Sequence, residues 1–163
     1  MSIQIDSYLR KRGVNGPWRL SPIPNHKFQS IVIIPAYAEL EYINQTLDSL
    51  SKCEVDSFND IMVVVVVNNE VDATAQIIEN NKQTLSNLKN RKDPFFLALI
   101  DAVSEEKSIP EKYAGVGMAR KIGMDIALEF ANPESLFFSL DADSLVVPTY
   151  FREIHSHFKL NDS

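Results

Sequence analysis

The fold class is decided by the stretch Ile61-Met62-Val63-Val64-Val65-Val66-Val67-Asn68-Asn69, which holds the longest uninterrupted apolar run of the chain. β-Branched side chains favour strands, and a run without polar alternation predicts a strand buried on both faces, as in a parallel sheet. The two asparagines indicate where that strand ends. The rest of the domain is then expected to lie on either side of it.

Three further strands and four helices are predicted around this central strand. The strands are Ile31–Ile34, which is expected to stop at Pro35, then Phe95–Ile100 and Leu136–Leu140. Apolar residues at helical spacing predict helices over residues 40–50, 77–88, 119–130 and 151–158. This alternation predicts an α/β fold with a doubly wound, mostly parallel sheet and helices on both faces.

Turn-forming and capping residues predict how these elements begin. Asp72 is expected to cap the second helix, and Pro148 to stand in the first turn of the last one. Gly115 and Gly117 lack the spacing of phosphate-binding loops and are expected to allow a tight start of the third helix.

The N-terminal residues differ in composition from the rest of the chain. Residues 1–29 are rich in glycine and proline, which predicts an irregular arm, with Trp18 anchoring it by burying its ring. We expect the domain proper to comprise residues 30–163.

A pair of acidic residues follows the fourth predicted strand in the stretch Ser139-Leu140-Asp141-Ala142-Asp143. Ligands of open α/β sheets collect outside the carboxyl ends of the strands, and carboxylate oxygens are preferred by Mg²⁺ and Mn²⁺. The pair therefore predicts a divalent cation site that would bind phosphate groups. The alternative is that these acids only cap a helix or occupy a turn.

Polar residues after the first two strands are expected at the same crevice. Tyr37 can offer its ring to a base, Glu39 can accept from ribose hydroxyls, and Asn68 can pair with a base edge. These side chains together predict a nucleotide pocket. Each also has a simpler interpretation, since Tyr37 could belong to the core and Glu39 could be a helix first-turn acid.

Composition excludes several classes of function. The 16 Lys and Arg residues against 22 Asp and Glu give a net charge of −6, which argues against a general nucleic-acid surface. Cys53 is the only cysteine, so no internal disulfide can form and a reducing compartment is expected. Without a signal-peptide pattern or a long apolar run, a cytoplasmic protein with no membrane segment in this chain is predicted.

Four motifs in this order resemble the family 2 glycosyltransferases. The resemblance covers residues 30–158 and implies the GT-A fold of nucleotide-diphospho-sugar transferases. The motifs are Ile33-Ile34-Pro35-Ala36-Tyr37-Ala38-Glu39, Val66-Val67-Asn68-Asn69, Gly115-Val116-Gly117-Met118-Ala119-Arg120-Lys121-Ile122-Gly123 and Leu140-Asp141-Ala142-Asp143.

The resemblance also implies roles for individual residues. Pro35, Tyr37 and Glu39 would line the nucleoside pocket, and Asn68 would meet the base. Asp141 would lie near the ribose and the metal, and Asp143 would hold the cation.

The implied reaction is inverting glycosyl transfer from a nucleoside-diphosphate sugar to an acceptor hydroxyl, with Mn²⁺ or Mg²⁺ as cofactor. The acceptor could be a saccharide, a lipid or a protein. Arg120, near the start of a helix, is expected to assist at the diphosphate, unless it is only a surface or ion-pair arginine.

The chain departs from the family pattern at three positions and lacks one expected group. Ala38 stands where the family usually has Asn, Asn68 where it has Asp, and Lys121 where it has Asn. An uncharged amide at position 68 leaves the preferred base open. The family's general base lies downstream of the acidic pair with the acceptor-binding segment, so no base can be named. The chain could be a fragment of a longer transferase, a donor-binding half completed by another component, or an inactive protein; of these we expect the N-terminal, donor-binding part of a longer transferase.

Two other classes remain open from the sequence. The stretch Leu140-Asp141-Ala142-Asp143-Ser144-Leu145 also resembles the nucleophile motif of haloacid-dehalogenase-like phosphohydrolases, although that motif normally opens its fold. A non-catalytic nucleotide-binding or interaction domain is the third class.

Overall fold

A computed structural model describes the backbone of residues 3–161 and the side chains of residues 5–159. Its five strands are β1 (Leu20–Ser21), β2 (Phe28–Ala36), β3 (Ile61–Asn68), β4 (Phe96–Ala102) and β5 (Ala131–Ser139). Its α-helices are α1 (Ile3–Arg12), α2 (Ile43–Ser51), α3 (Ala75–Lys89), α4 (Val116–Ala127) and α5 (Tyr150–Asn161). Single 3₁₀ turns occupy Phe58–Asp60, Glu111–Tyr113 and Leu128–Phe130.

The strands form one mixed sheet in the order β1-β4-β3-β2-β5. β2, β3, β4 and β5 are mutually parallel, and β1 pairs antiparallel with β4 through Leu20 opposite Ile100. The prediction of an α/β fold with a mostly parallel sheet is confirmed. Because the four long strands run in one direction, their carboxyl ends meet at one edge of the sheet.

The two faces of the sheet carry separate apolar cores. One contains Val63, Val65 and Val67 with residues of α2, α3 and α5, and the other contains Met62, Val64 and Val66 with residues of α4. All eight residues of β3 are buried, as the unbroken valine run predicts. Helices therefore cover both faces, as expected for a doubly wound sheet.

The prediction of an irregular N-terminal arm is wrong, because this segment contains α1 and β1. The glycines and prolines of this segment lie between α1 and β1 and directly after β1, and α1 has too few apolar residues for a helical pattern to be recognised from the sequence. Trp18 does bury its ring, with 5% of its surface exposed, and its Nε1 donates to the carbonyl of Lys107 at 2.7 Å.

Two other predicted boundaries also need correction. β2 does not stop at Pro35 but continues to Ala36. Proline has no N–H to donate across a sheet, and this is tolerated here because β5 pairs with β2 only as far as Ile33, so that Pro35 has a neighbouring strand on one side only. Pro148 precedes α5 by two residues rather than standing in its first turn.

The cap of α3 is Thr74, not Asp72 as predicted. The Thr74 hydroxyl oxygen accepts from the backbone N–H of Ile77 at 3.4 Å, and Asp72 is exposed in the preceding turn. Both residues suit an N-cap, so the sequence alone did not distinguish them.

Candidate nucleotide-binding cleft

The carboxyl ends of the parallel strands border a cleft of about 590 Å³. Segments after β2, β3 and β5 line it, together with the residues that lead into α4. The lining residues are Pro35, Tyr37, Glu39, Asn68, Glu70, Ala114, Gly115, Val116, Asp141, Ala142 and Asp143. The structure thus brings together all the sequence-predicted site residues except Arg120, which does not line the cleft itself but contacts the lining residue Asp141.

The loop after β2 places Tyr37 and Glu39 at the cleft through an unusual backbone conformation. Ala38 has φ of +58°, in the left-handed region that alanine seldom occupies and asparagine tolerates better. Its N–H donates to the Asn81 side-chain oxygen at 2.8 Å, which helps to offset the conformational cost. This is the position where the family usually has Asn.

Asn81 of α3 connects this loop to the end of β3. It is fully buried, and its side-chain nitrogen donates to the Asn68 carbonyl at 2.9 Å and to Asn69 Oδ1 at 3.3 Å. With the bond from Ala38, one side chain therefore holds two of the segments that form the cleft. Sequence reasoning missed Asn81, although a polar residue among the buried positions of a helix was a usable signal.

Asn68 is oriented by the backbone around it. Its side-chain nitrogen donates to the carbonyls of Ala36 at 3.2 Å and Val66 at 3.1 Å, and the residue is 4% exposed. Both hydrogen bonds that this nitrogen can donate are thus made to backbone carbonyls of the protein. The side-chain oxygen is the group with acceptor capacity left for a ligand.

Tyr37 faces a carboxylate that the sequence reasoning did not single out. Its hydroxyl donates to Glu70 Oε1 at 2.8 Å, and the residue as a whole is 38% exposed at the cleft. Burial, the hydrogen bond and the charge of Glu70 raise the pKa of Tyr37 to about 12. The signal for Glu70 was its position directly after Asn68 and Asn69 at the end of a strand. The exposed ring argues against Tyr37 as a core residue.

The acidic loop after β5 is fixed from below by hydroxyl groups of α2. Thr46 donates through Oγ1 to the Ala142 carbonyl at 2.6 Å, and Ser49 Oγ accepts from the Val146 N–H at 3.2 Å. Ala142 is buried, while Asp141 and Asp143 on either side of it are exposed. The backbone is anchored and both carboxylates are directed to solvent and the cleft.

The pKa of Glu39 is affected by two other carboxylates of the cleft. Burial is the largest cause of the raised pKa of Glu39, and repulsion from Asp143 and then Asp141 raises it further. A cluster of negative charge at one edge of the sheet favours a cationic ligand or a cation-bound phosphate.

Arg120 of α4 forms an ion pair with Asp141 through its Nη2. Its Nε is buried and has no hydrogen-bond partner in the described chain. Arg120 thus takes part in an ion pair, which was one of the two roles considered for it. Its partner, Asp141, is one of the two candidate ligands of the cation.

The donor set fits a hard divalent cation bound with a phosphate. Among residues 3–161, no group of three or more His, Cys, Asp and Glu side chains forms a ready metal site. Mg²⁺ and similar ions commonly use one or two carboxylates and complete their coordination with phosphate oxygens and water. Asp141 and Asp143, exposed beside a cleft of nucleotide size, fit that mode of binding.

The first residues of α4 complete the cleft opposite the acidic loop. Gly115 is the residue before the helix and has φ of +135°, which a residue with a Cβ rarely adopts, so the predicted tight start is confirmed there. Lys121 points elsewhere: its Nζ donates to Asp125 at 2.6 Å and to the Arg12 carbonyl at 2.8 Å. Lys121, which stands where the resembling family usually has Asn, therefore helps to attach α1 to α4.

Residues 31–96 match the family model described as "Glycosyl transferase family 2". No curated protein sequence matches the chain. None of the helices within residues 3–161 is long and apolar enough to cross a membrane.

Solved structures with the same fold include crystal structures of S. aureus TarS 1-349. The chain is 23% identical to one of them, with a TM-score of 0.51, covering 83% of this chain and 34% of that one. For the complex with UDP-GlcNAc the identity is 21% and the TM-score is 0.54, and the match covers 83% of this chain and 32% of that one. For the complex with UDP the identity is 18% and the TM-score is 0.51, and the match covers 83% of this chain and 33% of that one. The chain spans about a third of the length of these structures. At this identity the likeness establishes the fold alone.

Proposed function

We propose that this chain, which has the α/β fold seen in GT-A glycosyltransferases, is a family 2 glycosyltransferase domain that binds a nucleoside-diphosphate sugar and supplies the donor half of a glycosyl transfer. The observation that carries the proposal is the cleft of about 590 Å³. There, a tyrosine ring, an amide and a group of carboxylates meet at the carboxyl edge of a parallel sheet, which is where ligands of such sheets bind.

Each part of the donor has a counterpart in the cleft. The exposed ring of Tyr37 can stack on the base, and the side-chain oxygen of Asn68 can accept a hydrogen bond from an N–H on the edge of the base. The carboxylate of Glu39 can accept hydrogen bonds from the ribose hydroxyls. Solved structures of the same fold contain UDP-GlcNAc and UDP, which supports a nucleotide of this kind as the donor's leaving group.

The proposed reaction is a single displacement with inversion. The acceptor oxygen forms a bond to the anomeric carbon, while the bond from that carbon to the diphosphate oxygen breaks. The nucleoside diphosphate leaves with the bonding electron pair, and the acceptor proton passes to a base. None of the cleft carboxylates is assigned as that base.

We further propose that Asp141 and Asp143 hold Mg²⁺ or Mn²⁺ with the diphosphate. When bound, the ion would supply positive charge to the departing group. Asp143 has no hydrogen-bond or ion-pair partner among the described residues, so its carboxylate is free to coordinate. Anchoring of the loop by Thr46 and Ser49 limits the reorganisation that binding requires.

The phosphohydrolase alternative is not favoured. The family match and the structural likenesses both point to glycosyltransferases, and the acidic pair follows the last strand of the sheet rather than the first. A non-catalytic nucleotide-binding domain shares the cleft with the transferase and differs from it only in turnover.

Thermal shift with nucleotides tests the proposal directly. We expect UDP, GDP, CDP or dTDP with Mn²⁺ to raise the melting temperature of the chain, and chelator to reduce that rise. A ligand at about a hundredfold excess over its Kd stabilises the folded state by about 2.7 kcal/mol. No response to any of the four diphosphates with Mn²⁺ would contradict nucleotide binding, and turnover of a generic phosphate ester would support the phosphohydrolase.

The variant Asp143→Ala tests the role of the acidic pair. We expect it to lose the Mn²⁺-dependent part of the thermal shift while keeping the part that survives chelator. Asp56→Ala is the matched control, because Asp56 is an exposed acid beside a different cavity at the amino-terminal ends of the strands. An unchanged metal response in Asp143→Ala would remove this residue from the site.

A further inference from the structure

The ion pair between Arg120 and Asp141 joins the two sides of the cleft. Arg120 comes from α4 and Asp141 from the loop after β5, and their side chains are 33% and 58% exposed. Asp143, two residues further, has no such partner among the residues whose side chains are described. One of the two candidate cation ligands is therefore already neutralised by a side chain of the protein.

A cation that uses Asp141 meets this guanidinium. Arginine keeps its charge at every accessible pH, so it cannot yield by deprotonation. A divalent ion on the same carboxylate would be repelled unless the guanidinium moves away or gains another anionic partner. Asp141 is thus less available to a metal ion alone than its exposure suggests.

The diphosphate of a bound nucleotide is the natural new partner. Arginine binds phosphate through two parallel N–H bonds, which is stronger and more directional than a single bond to one carboxylate oxygen. Only Nη2 of Arg120 is engaged by Asp141, and its buried Nε lacks an acceptor. A shift of the guanidinium toward a diphosphate would supply that acceptor and release Asp141.

We propose that Arg120 is an exchangeable internal counter-ion, which occupies Asp141 in the nucleotide-free cleft and transfers to the diphosphate when the nucleotide binds. The proposal rests on the proposed function and deepens it. Its consequence is that the cation and the nucleotide bind cooperatively, because each removes the obstacle to the other.

The first test measures Mn²⁺ binding to the full chain without nucleotide, by electron paramagnetic resonance of the free ion. Arg120→Gln is expected to bind Mn²⁺ roughly tenfold more tightly than the wild type, as loss of a close repulsive charge predicts. Lys112→Gln is the matched control, since Lys112 is an exposed cation two residues before the lining residue Ala114, its ammonium lies over the Tyr113 ring, and no ion pair with a described carboxylate is seen. Equal Mn²⁺ affinity in the two variants would overturn the proposal.

The second test compares UDP with uridine in the presence of chelator, by calorimetry. Arg120→Gln is expected to weaken UDP binding about tenfold or more, through loss of charge-assisted bonds, and to leave uridine binding unchanged. Equal weakening for both ligands would overturn the exchange, because it would place Arg120 at the nucleoside.

A reciprocal variant covers the possibility that Arg120→Gln folds poorly. Asp141→Asn frees the guanidinium without removing it, so UDP in chelator should bind more tightly than to the wild type while uridine binds equally. Weaker UDP binding by this variant would contradict the proposal. If the wild type binds no nucleotide, the proposed function fails on its own, and the Mn²⁺ comparison still decides whether Arg120 obstructs Asp141.

Discussion

Among the residues of the cleft, Tyr37 has a pKa that is raised by burial and by one neighbouring carboxylate in particular, that of Glu70. Its pKa of about 12 results from burial first and then from Glu70, which accepts the phenolic hydrogen bond and repels the phenolate. A raised pKa in the folded state means that the stability contributed is fully present below the ordinary value of 10.0. It is lost as the pH rises toward about 12.

Glu70→Gln is therefore expected to lower the pKa of Tyr37 toward its ordinary value. The amide can still accept the hydrogen bond, but it no longer repels a phenolate, while burial keeps some of the shift. The tyrosine ring-carbon chemical shift between pH 9 and 11 measures this: Tyr37 should begin to ionise at lower pH in the variant than in the wild type.

Glu79→Gln serves as the control for that experiment. Glu79 is an exposed acid of α3 whose carboxylate accepts a hydrogen bond from Gln83 and, among the described side chains, has no contact with Tyr37, so its loss should leave the Tyr37 titration unchanged. The same midpoint in Glu70→Gln and in the wild type would contradict the role given to Glu70.

Single residues also show where sequence reasoning ends. Tyr37, Glu39, Asn68 and the acidic pair could be chosen because strand ends share one edge of a parallel sheet. Asn81 could not, because its function depends on which loops approach α3 in space, and local spacing contains no information about that.

At the scale of elements, α4 offers two glycines with opposite environments. A Cβ at Gly123 would lie 2.6 Å from Ile33 Cγ2 and 2.9 Å from Val66 Cγ2, whereas a Cβ at Gly117 would have nothing within 4 Å. Of these two positions, Gly123 is the one at which the helix approaches the sheet closely.

We expect Gly123→Ala to lower the free energy of unfolding by about 1–3 kcal/mol, because overpacking forces the helix from the sheet. Gly117→Ala should raise it by about 0.5 kcal/mol, since alanine is the better helix former. Urea denaturation of both variants measures the contrast, and equal effects would show that α4 does not pack against β2 and β3 as described.

The elements themselves were predictable to differing degrees. The valine run of β3 and the periodic apolar residues of α2 and α3 specify their structure locally, and they appear where expected. α1 and β1 depend on partners far along the chain, Asp125 for Tyr8 and Ile100 for Leu20, so local composition suggested an irregular arm instead.

At the scale of the whole molecule, stability should decrease from the centre of the sheet toward α1. β3 lies between two parallel strands and is covered on both faces, while α1 is held largely through polar bonds of Tyr8 and Lys121 around the buried Asp125. Amides that open only by global unfolding should therefore concentrate in β3.

Native-state hydrogen exchange measures this gradient. We expect α1 amides to exchange through a local opening of lower free energy than the opening that exposes β3. Equal opening free energies in α1 and β3 would show that the N-terminal helix belongs to the same cooperative unit as the sheet.

The hydroxyls of α2 that hold the acidic loop limit how this domain can be redesigned. Thr46 is fully buried on the same helix as the core residues Ile43, Leu47 and Leu50, and a stability-driven repacking of that helix would replace it with valine. Such a replacement keeps the shape and removes the donor to the Ala142 carbonyl. An engineer who wants a more robust scaffold should therefore leave Thr46 and Ser49 untouched and improve other positions of the helix.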